Sequence, residues 1–226
     1  MLQFVQSLLT TAATRKQQSF KRIMESAEQI AAINPNGLHE LTRALLLPLQ
    51  AEFLVAVAER ERHKAPRLDE WRSFFFNLLQ QGITQSKVKN NDLGPVSIDL
   101  ASDTVFPVPW HRDRYANALG TIGRGKSLGA WKVFPMNHAI SIWIPWKIAF
   151  VDGGNHSIAA GILAGEGHIS VETIFDLRPV LAAFHCDGRH YFRTATGERV
   201  AKVTDPRRAA VFEIGRILLK TGVLPT

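Results

Sequence analysis

The chain is predicted to be an α+β protein, with an N-terminal helical subdomain followed by a mixed, largely antiparallel sheet domain that ends in a hairpin and a closing helix. Three observations predict it. Before about residue 82 the apolar residues recur at helical spacing. After residue 95, short apolar runs alternate with Gly, Pro and Asn. Thr204-Asp205-Pro206 then opens one last helical pattern. With 226 residues and 46% hydrophobic content, the chain can bury a sizeable core.

In the first half, helices are expected over residues 2–33, 38–64 and 66–81. Asn34-Pro35-Asn36-Gly37 and Ala65-Pro66 break them, Pro48 interrupts the second, and Gly82 stops the third. The cluster Trp71, Phe74, Phe75, Phe76, Leu78 and Leu79 reads as core or packing surface, and its apolar density could also serve a homodimer contact. The polar run 87–95 reads as a linker, which places a helical subdomain at 1–90 and the sheet domain at 91–226.

Strands are expected over 96–100, 105–108, 131–134, 139–144, 147–151, 169–174 and 180–186. Prolines 107, 109, 135 and 145 should sit at their ends, edges or bends. Helices fit after Pro109 and after Asn155, with Gly165 closing the latter. Asp187-Gly188 reads as a two-residue hairpin turn, a register that sets His185 opposite His190. Two imidazoles without a third ligand do not make a structural zinc site, so no metal is expected there. The last helix should run to about Lys220 and stop at Gly222.

The segment richest in chemistry is Asp152-Gly153-Gly154-Asn155-His156-Ser157, which lies between an apolar strand pattern and a small-residue helix. At such a junction the free N–H groups and the positive dipole end of the helix point into the loop. Glycines let a ligand approach the main chain, and Asn155, His156 and Ser157 add donors. Asp152 could hold magnesium or act as a base, and His156 could contact phosphate or shuttle a proton.

This segment resembles the signature of the ParB/sulfiredoxin-like family, G-x-H-R followed by small residues on a helix, which sulfiredoxins carry as G-G-C-H-R. Gly153, Gly154 and His156 match, Asn155 stands at the catalytic Cys and Ser157 at the Arg. The surroundings resemble the family too: a helical stretch with Arg112 and Arg114 upstream, an apolar strand into the motif, and a strand-like run after it. The resemblance implies a nucleoside triphosphate ligand, ATP or CTP with magnesium, while the absent Cys argues against sulfinic acid reduction. It also implies that Arg124 or Lys126 takes over the charge of the absent Arg, or that the site has lost its nucleotide. A DNA-binding or regulatory module of the plasmid or phage kind is the alternative from the same resemblance.

Gly120-Thr121-Ile122-Gly123-Arg124-Gly125-Lys126-Ser127 fits G-x-x-x-x-G-K-S as written, which makes a P-loop NTPase a second alternative. A P-loop must leave a strand and enter a long helix. Here the preceding run reads as a helix, and Gly129 and Pro135 leave little room for another. The preferred expectation is a flexible basic loop that folds over the ligand at Gly153–Ser157.

A net charge of +7 and a pI near 9.9 favour an acidic partner, nucleic acid first. The charge is spread out: residues 1–90 carry 12 Lys+Arg against 8 Asp+Glu, so no basic block emerges, and Arg15, Lys16, Lys21 and Arg22 read first as a solvated face, with a modest phosphate-facing patch as the alternative. The single cysteine, Cys186, fits a reducing compartment and a cytoplasmic protein. No basic leader and no run of about 18 uncharged apolar residues is evident, so no membrane partner is expected.

Overall fold

The computed structural model describes residues 2–59, 73–82, 86–88, 96–171 and 173–223. Contacts divide the chain into two compact units, each discontinuous in sequence. One comprises residues 1–45, 69–84 and 177–224; the other comprises 46–68, 85–176 and the last two residues. The architecture is α+β, with N-terminal helices, a mixed sheet region and a C-terminal helix.

In the first unit, helix α1 (Leu2–Ile33) buries Phe20 and Ala27, two turns apart on one face. After the turn at Asn34–Asn36, α2 (Gly37–Glu59) begins. The anticipated third helix lies in part at 60–72, outside the described residues. Over 74–78 the chain is bent rather than helical, followed by a 3-10 turn at Leu79–Gln81. Phe74, Phe75 and Phe76 are core residues, and Phe76 packs on Phe184, Tyr191 and Phe212 with centroids 4.7–5.9 Å apart. Trp71 lies outside the described residues.

The C-terminal part of this unit corrects two expectations. Residues 180–186 are not one strand: helix α5 (Arg178–Ala183) fills most of them, with Pro179 in its first turn, and only Phe184–Cys186 is extended. That strand, β8, pairs with β9 (His190–Arg193), which pairs with β10 (Arg199–Lys202). The register sets His185 opposite Phe192, with the rings stacked at 5.3 Å, so His185 and His190 do not face each other. The turn is shifted by one residue because Gly188, at φ +84°, takes the first central position, while Asp187 Oδ1 accepts from the Arg189 and His190 N–H groups. The closing helix α6 (Pro206–Thr221) is capped by Asp205 and ends at Gly222 as expected. In this helix Glu213 accepts the Cys186 N–H at 2.7 Å, and burial raises its carboxyl to about 7 despite the neighbouring Arg216.

The second unit holds a five-stranded sheet in the order β1 (Ser86–Val88), β7 (Thr173–Asp176), β4 (Ala139–Ile144), β5 (Ile148–Gly153) and β3 (Val105–Phe106). β4 runs antiparallel to β5 and parallel to β7, while β3 runs parallel to β5. Strand β1 occupies positions expected to start the linker, and the expected strand at 169–174 is divided between β7 and β6 (His168–Ser170). The latter pairs instead with β2 (Ser97–Asp99). The anticipated strand at 131–134 is irregular because its backbone donors go to side chains: Trp131 N–H to Glu166 and Phe134 N–H to His138.

Helices α3 (Arg112–Thr121) and α4 (Asn155–Ala164) complete this unit. One core cluster is mostly aliphatic, with Ile98, Ile142, Ile144, Ala149, Ile158 and Ile174 fully enclosed and Trp131 among its members, and Phe106 and Trp143 are fully buried as well. The distal part of α2 belongs here. Gln50 donates to the Val105 carbonyl at 2.7 Å, Tyr115 OH to that of Leu54 at 2.6 Å, and Phe53 meets Phe106 edge to face. By length and composition α2 could cross a membrane, a test that core helices also pass, and Leu46, Gln50, Phe53, Leu54, Ala56 and Val57 are buried within the protein.

Candidate functional site

Strand β5 delivers its chain directly into α4 through Gly153 and Gly154. Gly154 is the N-cap residue, at φ +76°, and supplies no side-chain cap, so the first-turn N–H groups of Asn155, His156 and Ser157 gain none. These residues form one wall of a cleft of about 410 Å³, together with Asp152 and Asn137. The other wall is the i, i+3, i+4, i+7 face of α3, namely Arg114, Asn117, Ala118 and Thr121, with Trp110, Ile122 and Leu128 completing the lining. Arg114 lies over the Trp110 ring at 5.4 Å and is exposed, so the cleft carries one guanidinium beside a helix N-terminus. Asp152 is exposed in the same lining.

The two glycines are explained from inside the protein. A Cβ on Gly153 would come within 2.6 Å of the Asn137 carbonyl oxygen, and one on Gly154 would overlap the His138 ring. The close approach expected of a ligand is therefore made, on that side, by residues 137–138.

Asn155 and His156 also have internal work. Asn155 Oδ1 accepts the Val108 N–H at 2.6 Å, and His156 Nε2 accepts the N–H groups of His111 at 3.1 Å and Trp110 at 3.3 Å. Together they fix the segment that leads into α3, whose first turn is capped by His111 Nδ1. A neutral ring with Nε2 accepting must carry its proton on Nδ1. Burial holds His156 below the usual imidazole range, and the nearby Arg114 and His111 side chains lower it further. The catalytic role expected of His156 thus competes with two backbone contacts that occupy its Nε2.

Ser157 meets His138, with Ser157 Oγ 2.7 Å from His138 Nε2. The Trp131 ring stacks on His138 at 4.9 Å and 17°, and its indole N–H donates to the Ser157 carbonyl at 2.8 Å. Burial lowers the basicity of His138. Neither His138 nor Trp131 was found by sequence reasoning, since their partners lie 19 and 26 residues away and leave no periodic trace. The helix that carries the cleft-lining residues Arg114, Asn117, Ala118 and Thr121 was expected after Pro109, but not which of its faces lines a cleft.

The other expected site residues are not brought to the cleft lining. Arg112 donates to the Ala58 carbonyl. Arg124 sits 3.4 Å from Glu166, which also accepts the Arg124 and Trp131 N–H groups at 2.9 Å; those two contacts and the guanidinium hold its carboxyl below the usual range. Lys126 donates to the Leu119 carbonyl at the end of α3. The segment 120–127 leaves a helix rather than a strand and closes on itself through Gly123–Gly129 and Leu128–Thr121 backbone bonds. Residues 123–138 contain no helix, so the match to G-x-x-x-x-G-K-S does not stand in P-loop order. Among the described residues, no group of three or more His, Cys, Asp or Glu could hold a metal ion.

Fold and site together define an α+β protein with a cleft at a strand-to-helix junction. The chain belongs to DUF6710, a family of unknown function, whose model matches residues 6–223. Comparison with curated proteins and with solved structures gave no match.

Proposed function

We propose that the cleft between α3 and the β5–α4 junction binds a small phosphate-bearing ligand of the nucleotide class, in a domain of ParB/sulfiredoxin-like type. The carrying observation is that Arg114 and the uncapped first turn of α4 line one cleft of about 410 Å³, a volume within the range of small-ligand sites. An arginine-bearing helix (α3) upstream, an apolar strand (β5) into the glycine junction and α4, and extended chain after it (β6 and β7) are also what the resemblance leads one to expect. In this reading Arg114, rather than Arg124 or Lys126, supplies the positive charge missing at Ser157. Asp152 and Asn117 would accept from the hydroxyl or amino groups of the ligand, and a magnesium ion would have Asp152 and the phosphates themselves as ligands. The reading requires binding and not turnover.

Calorimetric titration of ATP, CTP and GTP, each with magnesium, tests it. At least one nucleotide should bind the wild type, Arg114→Ala should weaken it by about tenfold or more, and Lys126→Ala should leave it within about twofold. Silence from the wild type, or a loss with Lys126→Ala alone, would sink this assignment.

A further inference from the structure

The contact between His138 and Ser157 has a direction. The Phe134 N–H donates to His138 Nδ1 at 2.9 Å, so in the neutral ring Nδ1 is the acceptor and Nε2 carries the proton. Nε2–H then donates to Ser157 Oγ across 2.7 Å. The serine hydroxyl proton cannot point at His138, and among the described residues Ser157 Oγ has no other hydrogen-bond partner. Ser157 lines the cleft. Two further contacts keep this arrangement from rotating away: Trp131 stacks on the imidazole, and its indole N–H holds the Ser157 carbonyl.

We propose that His138 orients Ser157 as a hydroxyl donor into the cleft, which makes Ser157 a binding residue for an oxyanion of the ligand and His138 its positioning residue. This rests on the reading of the cleft as a phosphate site. A fully ionised phosphate oxygen offers only acceptors, which is what an outward hydroxyl, a guanidinium and first-turn N–H groups require. In the opposite tautomer the same pair would be a nucleophile and its base. The Phe134 N–H decides against that, because a neutral imidazole has one acceptor nitrogen and the backbone already uses it.

The test has two arms on the full chain. Nitrogen-15 NMR of histidine-labelled protein near pH 8, with the His138 signal assigned by its loss in His138→Phe, should report the Nε2–H tautomer before any ligand is added. The Nδ1–H tautomer would overturn the proposal without touching the cleft assignment. Titrations with ATP, CTP and inorganic phosphate should show about tenfold weaker binding in Ser157→Ala and a similar loss in His138→Phe, with no further loss in the double variant. Unchanged affinity in Ser157→Ala, or additive losses, would overturn the positioning role while leaving a ligand in the cleft. Absence of binding by the wild type to these three probes and to GTP would remove both readings together.

Discussion

Two glycine-rich segments of this chain, residues 120–127 and 152–157, carry similar chemical hardware and end in different structures. The first matches a phosphate-binding pattern letter for letter, yet it hangs from the end of α3 and closes on its own backbone, with Arg124 held at Glu166. The second matches its pattern only in part, lacking the Arg, yet it joins a core strand to a helix and forms one wall of a cleft. A phosphate site needs converging N–H groups on a rigid frame, and convergence comes from the elements on either side of a loop rather than from its letters.

The sharpest way to break this comparison is through the glycines. Gly154 and Gly125 have nearly the same φ, +76° and +78°, but a Cβ at 154 would overlap His138 whereas one at 125 would meet open space. Gly154→Ala is expected to cost about 3 kcal/mol, combining left-handed strain with overpacking, and Gly125→Ala only about 1 kcal/mol. Urea denaturation of the two variants measures both, and equal losses would mean that residues 137–138 do not brace the junction.

Next in size is Asn155→Ala, which leaves the half-buried Val108 N–H without its acceptor. Its expected cost is about 1–3 kcal/mol. A loss below about 0.5 kcal/mol by the same denaturation would show that Asn155 is not a structural clamp and would return it to the list of ligand donors.

The smallest effect concerns pH. His156 has a folded pKa below its ordinary value of 6.5, so on acidification the unfolded chain takes up the proton first. Its contribution to stability is complete above pH 6.5 and is lost as the pH falls through the folded value. The half-exposed ring keeps this effect modest. Thermal unfolding followed from pH 8 to pH 5 should show the decline below 6.5, and His156→Gln, which retains an acceptor, should flatten it. Identical profiles would show that the neutral ring does not matter to the α3 segment.

Periodicity and turn chemistry made much of the fold legible. The α+β class, α1, the strands at 139–144 and 148–153, the helix from Asn155 to its stop at Gly165, and the capped helix at 206–221 all follow local rules. The hairpin register was missed by one turn position, because Gly188 could occupy either central place and only the Asp187 contacts choose between them. The polar segment 152–157 that lines the cleft was legible, but not the work of its side chains: Asn155 and His156 looked like ligand donors and are engaged by the backbone of residues 108–111.

By itself, then, the sequence determined where strands meet helices and which junction concentrates polar groups, since those depend on neighbours a few residues apart. Tertiary structure decided which donors remain for a ligand. It brought Arg114 from α3 to the α4 N-terminus, placed His138 against Gly154 and Ser157, and kept Arg124 and Lys126 out of the cleft lining. The physical reason is that a hydrogen bond consumes a donor or acceptor whatever the sequence separation of its partners, and that accounting closes only in three dimensions.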